Sequence, residues 1–349
     1  MDYFKLLGGL ILLIAAGEYL VSASSGIAKH FKLPSLIIGM TIVAFGTSAP
    51  ELLVSTVAGL NGHPAIALGN VTGSNGVNAS LIIGITALIC PFYVSRQSIT
   101  TDSMFMFFIS AIMILFGYTG GCISRIEGAL MLLLLIAFTV WSIKKAMASP
   151  APATPESETL QKQENEKKER SLWLNIVIVI VSLAGLSIGA DFMVDGATNL
   201  AKSWGVSERF ISVTIVAIGT SLPELTASII AAIKKEPDLC IGNIIGSNIF
   251  NIGAVLGIAT MLSPIDFNAA GGEANVTLPQ FLTDSVWMFG FELLLLVGMI
   301  NVTNNFSLFK KSGKFTSFFC VENGLVGRIW GVCAIALYVF YVYLLLIND

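Results

Sequence analysis

GMTIVAFGTSAPELLVS, residues 39–55, and SVTIVAIGTSLPELTAS, residues 212–228, are two copies of one segment. Each lies inside an apolar run long enough to cross a bilayer, for which about 20 residues suffice. Each also carries a glutamate, Glu51 or Glu224, within that run. A carboxylate at membrane mid-depth costs about 3 kcal/mol on insertion scales. A charge placed there twice calls for a compensating partner.

The likeness runs further. Residues 36–84 shifted by 173 fall on 209–257 without a gap, and 21 of the 49 positions are identical. ALGNVTGSNGVN (67–78) meets CIGNIIGSNIFN (240–251). A repeat kept for packing alone would preserve apolar residues, yet the best-matched positions include Gly, Thr, Ser, Pro, Glu and Asn. Around the repeats the hydropathy predicts ten spans, at 6–28, 34–60, 65–90, 102–119, 124–146, 172–201, 207–233, 239–262, 284–302 and 324–347. Five spans per half is an odd number, so the halves enter the bilayer in opposite orientations. That is the inverted-topology repeat of secondary transporters, whose site lies at the repeat interface near the midplane. The expected fold is an all-α polytopic membrane protein of ten transmembrane helices in two inverted five-helix repeats, 1–147 and 171–349. Residues 148–170, ASPAPATPESETLQKQENEKKER, join them. This stretch is Pro-rich at its start, then densely charged and apolar-poor, the composition of a solvated linker.

Composition agrees. The chain of 349 residues is 55% hydrophobic and 12% charged, where soluble domains carry about 25% charged residues. A net charge of −3 gives no sign of a nucleic-acid partner, and none is expected. The five cysteines show no metal spacing and read as small membrane hydrophobes. His30 and His63 fall in expected loops. LLGGLILLIAAGEYLVSASSG, residues 6–26, has the look of a secretory leader, but its basic flank is Lys5 alone and it has an internal counterpart, so it reads as a span. Of the 19 Lys and Arg residues, 15 fall on the side that holds the linker. The positive-inside rule makes that side cytoplasmic and puts both termini outside. The expected location is the cell membrane, cytoplasmic or inner, with multiple passes. Residues 263–283 form a long external loop, and no function is assigned to it.

In GTSAPE, residues 46–51, Thr47 and Glu51 are four apart and share a helix face. Pro50 has no N–H for the Gly46 carbonyl, so the helix opens there. Freed carbonyls at membrane depth need protein or a polar cavity to satisfy them. One carboxylate, two hydroxyls and free carbonyls make an all-oxygen cage of the kind hard cations such as Na+ and Ca2+ take. GTSLPE, residues 219–224, repeats the pattern with Pro223. In the second element Ser74 and Asn78 lie four apart, as do Ser247 and Asn251. Gly69, Gly73, Gly242 and Gly246 form four-spaced small pairs that let helices approach closely. Glu51 and Glu224 bring two negative charges together, which requires a cation between them or a proton on one. One Ca2+ or two or more Na+ would serve, and the residues alone do not choose. Glu18, Asp191 and Asp195 either line an access path or bond within the bundle. Asp102 and Asp284, at matching points in TTDSM and LTDSV, are expected to cap helix starts.

With these motifs the sequence resembles the calcium/cation antiporter superfamily, in particular the compact prokaryotic form of the Na+/Ca2+ exchanger family. Two copies of GTS-x-PE, each followed by GN-x-x-GSN-x-x-N, look like that family's paired repeats. The resemblance implies exchange of Ca2+ for Na+ by alternating access, with Ca2+ exported on the Na+ gradient. It implies no cofactor, and partners limited to Ca2+, Na+ and the lipid bilayer, with a monomer sufficient. By motif position Glu51 and Glu224 are the central carboxylates. Thr47, Ser48, Thr220 and Ser221 coordinate through hydroxyls or carbonyls, and the carbonyls of Ala44 and Ala217 serve outlying Na+ sites. Ser74, Ser247, Asn78 and Asn251 complete the cage. Spans 1 and 6 form a pair that slides across the other eight.

Two departures stand out. Asn251 occupies a position where some members carry Asp, which points away from K+ coupling. RIWG at 328–331 stands against RIEG at 125–128, so span 10 is expected to pack differently from span 5. The alternative within transport is a H+- or K+-coupled exchanger, but the hydroxyl pairs favour Na+, since proton transfer needs no cage of neutral oxygens. An intramembrane hydrolase is disfavoured because no histidine lies mid-span and no base activates the serines. A receptor without transport has no need of duplicated buried carboxylates.

Overall fold

Backbone polar groups in hydrocarbon must bond within their own segment, so long apolar runs fold as helices. The computed structural model describes residues 2–61, 64–93, 98–148, 170–204, 217–267, 277–299 and 325–348. In chain order its helices are α1 (Asp2–Phe31), α2 (Ser35–Thr47), α3 (Ala49–Leu60), α4 (Ile66–Ile89), α5 (Thr100–Gly120) and α6 (Arg125–Ala148). There follow α7 (Leu172–Leu200), α8 (Leu222–Ile233), α9 (Pro237–Leu262), α10 (Leu278–Met299) and α11 (Arg328–Leu345). Among the described residues eight helices are long and apolar enough to cross a membrane, and α2 with α3, bent by 46°, makes a ninth such unit. Large apolar side chains on the outside, such as Phe4, Ile126 and Trp173, are exposed, as lipid-facing residues are. The molecule is a helical, multi-pass membrane protein. The start of the expected seventh span (207–216), residues 149–169 of the linker and 268–276 of the external loop lie outside the described residues.

The helix breaks are where proline dictates. Ser48 leaves the helical conformation (φ −85°, ψ 9°) between α2 and α3, and Pro50 sits in the first turn of α3. Ser221 does the same (φ −91°, ψ 8°) ahead of α8, with Pro223 in its first turn. Proline fits there because its missing N–H would be unsatisfied in any case. The helix opens as Pro50 implies, with the break at Ser48, so Thr47 and Glu51 lie on different helices rather than on one helix face. Thr47 ends one helix, and Glu51 opens the next, near its positive N-terminal end. A second irregularity is the π turn, found at Gly39–Val43 in α2, at Ser98–Asp102 where α5 begins, and at matching places in the two halves. α4 widens into a π turn at Val77–Ile82, and α9 does so at Asn251–Leu256. π turns are rare and concentrate at functional sites.

α9 is the most buried helix and forms the centre of the packing. It lies directly on α2, where a methyl group on Gly242 would come within 2.5 Å of the Leu36 carbonyl oxygen. Small residues permit that approach. α1 lies along α7, with Gly9 facing the Gly189 carbonyl. Four two-residue strands join the halves: β1 (Phe92–Tyr93), β2 (Cys122–Ile123), β3 (Ile265–Asp266) and β4 (Leu325–Val326). β1 pairs with β4 and β2 with β3, both antiparallel. Strands of two residues leave no alternation in the sequence to read.

Three expectations need correction. Asp102 makes no cap bond, because the helical stretch begins upstream at Ser98, and its carboxylate is buried without a partner. Asp284 lies inside α10 rather than at its start. α11 packs on α4 as α6 packs on α9, so spans 5 and 10 dock in corresponding ways. The sequence difference there is local. Glu127 accepts the Ser124 N–H at 2.7 Å and caps its own helix, whereas Trp330 Nε1 donates to the Leu294 carbonyl at 3.0 Å.

Candidate functional site

The two motif glutamates are both fully buried. Glu51 is 0% and Glu224 1% exposed, and they lie close enough for their charges to interact. Crossed packing brings them together. α3, which carries Glu51, packs on the π turn of α9, and α8, which carries Glu224, packs on the π turn of α4. Each glutamate helix therefore meets the Ser/Asn element of the other half.

Several side-chain bonds cross directly between the repeats. Ser48 Oγ donates to Glu224 Oε1 at 3.0 Å. Thr47 Oγ1 lies 3.2 Å from Asn243 Oδ1 and 3.4 Å from the Ala44 carbonyl oxygen. Asn251 Nδ2 donates to Asn75 Oδ1 at 3.0 Å. Of the expected ligands with described side chains, Thr47, Ser48, Glu51, Ser74, Asn78, Ser221, Glu224, Ser247 and Asn251 are buried, while Thr220 is half-buried. Ala217 opens the described part of its span in a short helical turn, Ala217–Gly219.

The buried oxygens are under-satisfied. Among the described residues, both oxygens of Glu51, Oε2 of Glu224, and the side-chain oxygens of Asn78, Ser221, Ser247 and Asn251 have no hydrogen-bond donor, and Asn78 Nδ2 has no acceptor. Buried polar atoms in native proteins nearly always have partners, and exceptions mark an ion, a water or a catalytic role. All but one of these atoms are oxygen, and they include two carboxylates, the chemistry that hard cations select. Among the described residues no group of three or more His, Cys, Asp or Glu side chains is placed to hold a metal, so the anionic part of the site is the glutamate pair alone.

The expected ligands rest on residues that the sequence reading passed over. Asn70 Nδ2 donates to Ser55 Oγ at 2.9 Å and to the Glu51 carbonyl at 3.2 Å. Asn243 Nδ2 makes the equivalent bonds to Ser228 Oγ at 3.2 Å and the Glu224 carbonyl at 3.5 Å. These amides clamp each glutamate helix to the helix that follows it. Asn75 and Asn248 exchange bonds: Asn75 Nδ2 donates to the Asn248 carbonyl at 3.1 Å, and Asn248 Nδ2 to the Asn75 carbonyl at 3.3 Å. The signal was in the repeat, since 55, 70 and 75 coincide with 228, 243 and 248 under the same shift of 173. Glu18 and Asp195 are placed elsewhere. They pair with Lys234 at 3.4 Å and Lys5 at 3.1 Å on exposed faces, and Asp191 is exposed too.

Comparison with known proteins gives one answer. The sequence matches the family model described as "Sodium/calcium exchanger protein" over residues 3–144 and 174–347. It is 40% identical over 278 residues to the putative antiporter CaxA of Alkalimonas amylolytica, covering 78% of this chain and 85% of that protein. It is 30% identical over 329 residues to the sodium/calcium exchanger MaX1 of Methanosarcina acetivorans, covering 85% and 91%. Its structure resembles that of the sodium-calcium exchanger NCX_Mj soaked with 10 mM Na+ and zero Ca2+, with a TM-score of 0.72, 29% identity and 98% of each chain covered.

Proposed function

The chain belongs to the sodium/calcium exchanger family, and from that premise we propose that it exchanges Ca2+ for Na+ by alternating access, exporting Ca2+ on the Na+ gradient. That it is a membrane cation antiporter and not an enzyme follows from the family. Na+ as coupling ion and export as direction are our reading. The observation that carries it is the pair Glu51 and Glu224, buried together with donor-less hydroxyl and amide oxygens around them. Two carboxylates match one Ca2+ in charge. The neutral oxygens suit Na+ coordination, whereas a proton would need none of them.

In this reading Glu51 and Glu224 are the central ligands for either ion. Thr47, Ser48, Thr220 and Ser221 add hydroxyls or carbonyls, Ala44 and Ala217 add carbonyls, and Ser74, Asn78, Ser247 and Asn251 close the cage. Residues 1–147 and 171–349 are two inverted five-helix repeats, joined on the cytoplasmic side by 148–170. The crossed packing of α3 and α8, and the strand pairs β1–β4 and β2–β3, support that arrangement. A monomer in the cell membrane with both termini outside carries out the exchange.

Radiolabelled Ca2+ uptake into proteoliposomes tests the proposal, with outward Na+, K+ and H+ gradients compared. Uptake driven by Na+ alone supports it. Uptake that follows a pH or K+ gradient and ignores Na+ sinks it in favour of H+ or K+ coupling.

A further inference from the structure

Glu292, in α10, is at 0% exposure and, with Asp102, one of two fully buried carboxyls among the described residues that belong to neither motif. Its place in the repeat is informative. Counting eight residues on from Asp102 in TTDSM and from Asp284 in LTDSV reaches Ser110 and Glu292. These equivalent residues touch, Ser110 Oγ donating to Glu292 Oε1 at 3.0 Å. Phe107 and Phe289 are equivalent by the same count and meet edge to face, with centroids 5.1 Å apart. Asn75 and Asn248 exchange backbone bonds in the same manner. Equivalent residues contact each other only along the line where the two halves meet. Of these three self-paired positions, 110/292 is the one where the halves differ in charge.

The carboxyl is also half-satisfied. Glu292 Oε2 is buried with no donor, and so is Oδ1 of Asn248. The Asn248 side chain lies close enough to Glu292 to interact with it. Two neighbouring buried acceptors without a donor are costly. A proton on Glu292 removes the charge and supplies a donor. The polar neighbours of Glu292, Ser110 by a hydrogen bond and Asn248 by proximity, are neutral, and neither is among the proposed cation ligands. α4 carries no titratable side chain in its packing against α10. α5 has Asp102 and Tyr118, α9 has Asp238 and Cys240, α10 itself has Asp284, and α11 has Arg328, Cys333, Tyr338, Tyr341 and Tyr343. Tyr338 and Tyr341 pack on Phe291, beside Glu292.

We propose that Glu292 is a proton-binding site, separate from the Glu51–Glu224 pair and coupled to it through Asn248. The proposal rests on the reading of that pair as the cation carboxylates. In the acid form, the Glu292 O–H serves the acceptors around Asn248, leaving its Nδ2 on the Asn75 carbonyl. When the proton leaves to water, the carboxylate competes for that same amide. Asn75 in turn holds the Asn251 amide at 3.0 Å, and Asn251 begins the π turn that packs on the Glu51 helix. Four side chains thus link the proton site to the cation site.

The test is Ca2+ exchange across acid to alkaline pH in voltage-clamped proteoliposomes, for wild type, E292Q, E292D and E51Q. One limb of the wild-type profile should change by up to about tenfold per pH unit, as a single titrating group dictates. E292Q, which mimics the acid form, should be flat along that limb and held at the rate of its acidic end. E292D, which keeps the acid, should retain the limb at a shifted pH. If Gln prevents folding, Glu292→Ser places the first repeat's residue there and carries the same expectation. A wild-type limb unchanged in E292Q or E292S overturns the proton site. Wild-type exchange by E51Q would instead overturn the cation-site reading on which it rests.

Discussion

Glu51 and Glu224 occupy equivalent places in the two repeats, yet only one is held. Glu224 receives the Ser48 hydroxyl at 3.0 Å, while among the described residues neither oxygen of Glu51 has a donor. Its equivalent donor, Ser221, is itself unpartnered at Oγ. The backbone does not explain this, since Ser48 and Ser221 share nearly the same φ and ψ and both prolines open their helices alike. The difference lies in which hydroxyl reaches across to the other half. A sequence duplicated to this degree can thus build two unequal half-sites: one clasped by protein, the other dependent on whatever ion enters.

The largest test of the comparison removes each charge in turn. Glu51→Gln and Glu224→Gln should each lower Ca2+ exchange by at least about 30-fold, since losing one partner of a buried charge cluster costs about 2–5 kcal/mol. Both variants should still elute as folded protein. The two should differ in the cation-free state. Gln at 51 relieves an unsatisfied anion and should raise the melting temperature, whereas Gln at 224 forfeits a bond to a charged group. Equal melting temperatures for the two variants would mean that the asymmetry has no energetic weight.

A smaller effect separates the serines. Ser48→Ala removes a buried bond to a carboxylate, worth about 1.5–3 kcal/mol, and should lower stability without added cation. Ser221→Ala breaks no such bond and should stay within about 0.5 kcal/mol of wild type. Both should weaken Ca2+ binding if both hydroxyls are ligands. Chemical denaturation without divalent ions, followed by a Ca2+ titration of each variant, reads the two quantities separately.

The helices, their order and the place of the glutamates were legible in the sequence because each has a strong signature: runs of apolar residues, a fixed shift of 173, and charges where none is tolerated. Three other features were not. The break at Ser48 was placed at Pro50 because proline was read as interrupting a helix, when it prefers the first turn of a new one. The Asn70 and Asn243 clamps were visible as invariant positions, but their role depends on which carbonyl lies opposite, and that is tertiary geometry. Glu292 falls outside the gap-free block of the repeat and aligns with a serine, so self-comparison assigns it no counterpart acid.

The smallest expected effect concerns those clamps. Asn243 engages Thr47 Oγ1 through its Oδ1 as well as Ser228 and the Glu224 carbonyl through its Nδ2, and it is 1% exposed. Asn70 makes the Ser55 and Glu51 carbonyl bonds but is only part-buried. Truncating Asn243 strands more buried groups, and each stranded group costs about 1–3 kcal/mol when water cannot reach it. Around Asn70 partial exposure lets water replace part of what is lost. Asn243→Ala should therefore weaken apparent Ca2+ affinity by about tenfold, or about 1.4 kcal/mol, and Asn70→Ala by about threefold. Ca2+-dependent uptake curves for the two variants decide the point. A larger loss at Asn70 would mean that the open half, around Glu51, depends more on its clamp than the clasped half does, which reverses the ranking drawn from the bonds.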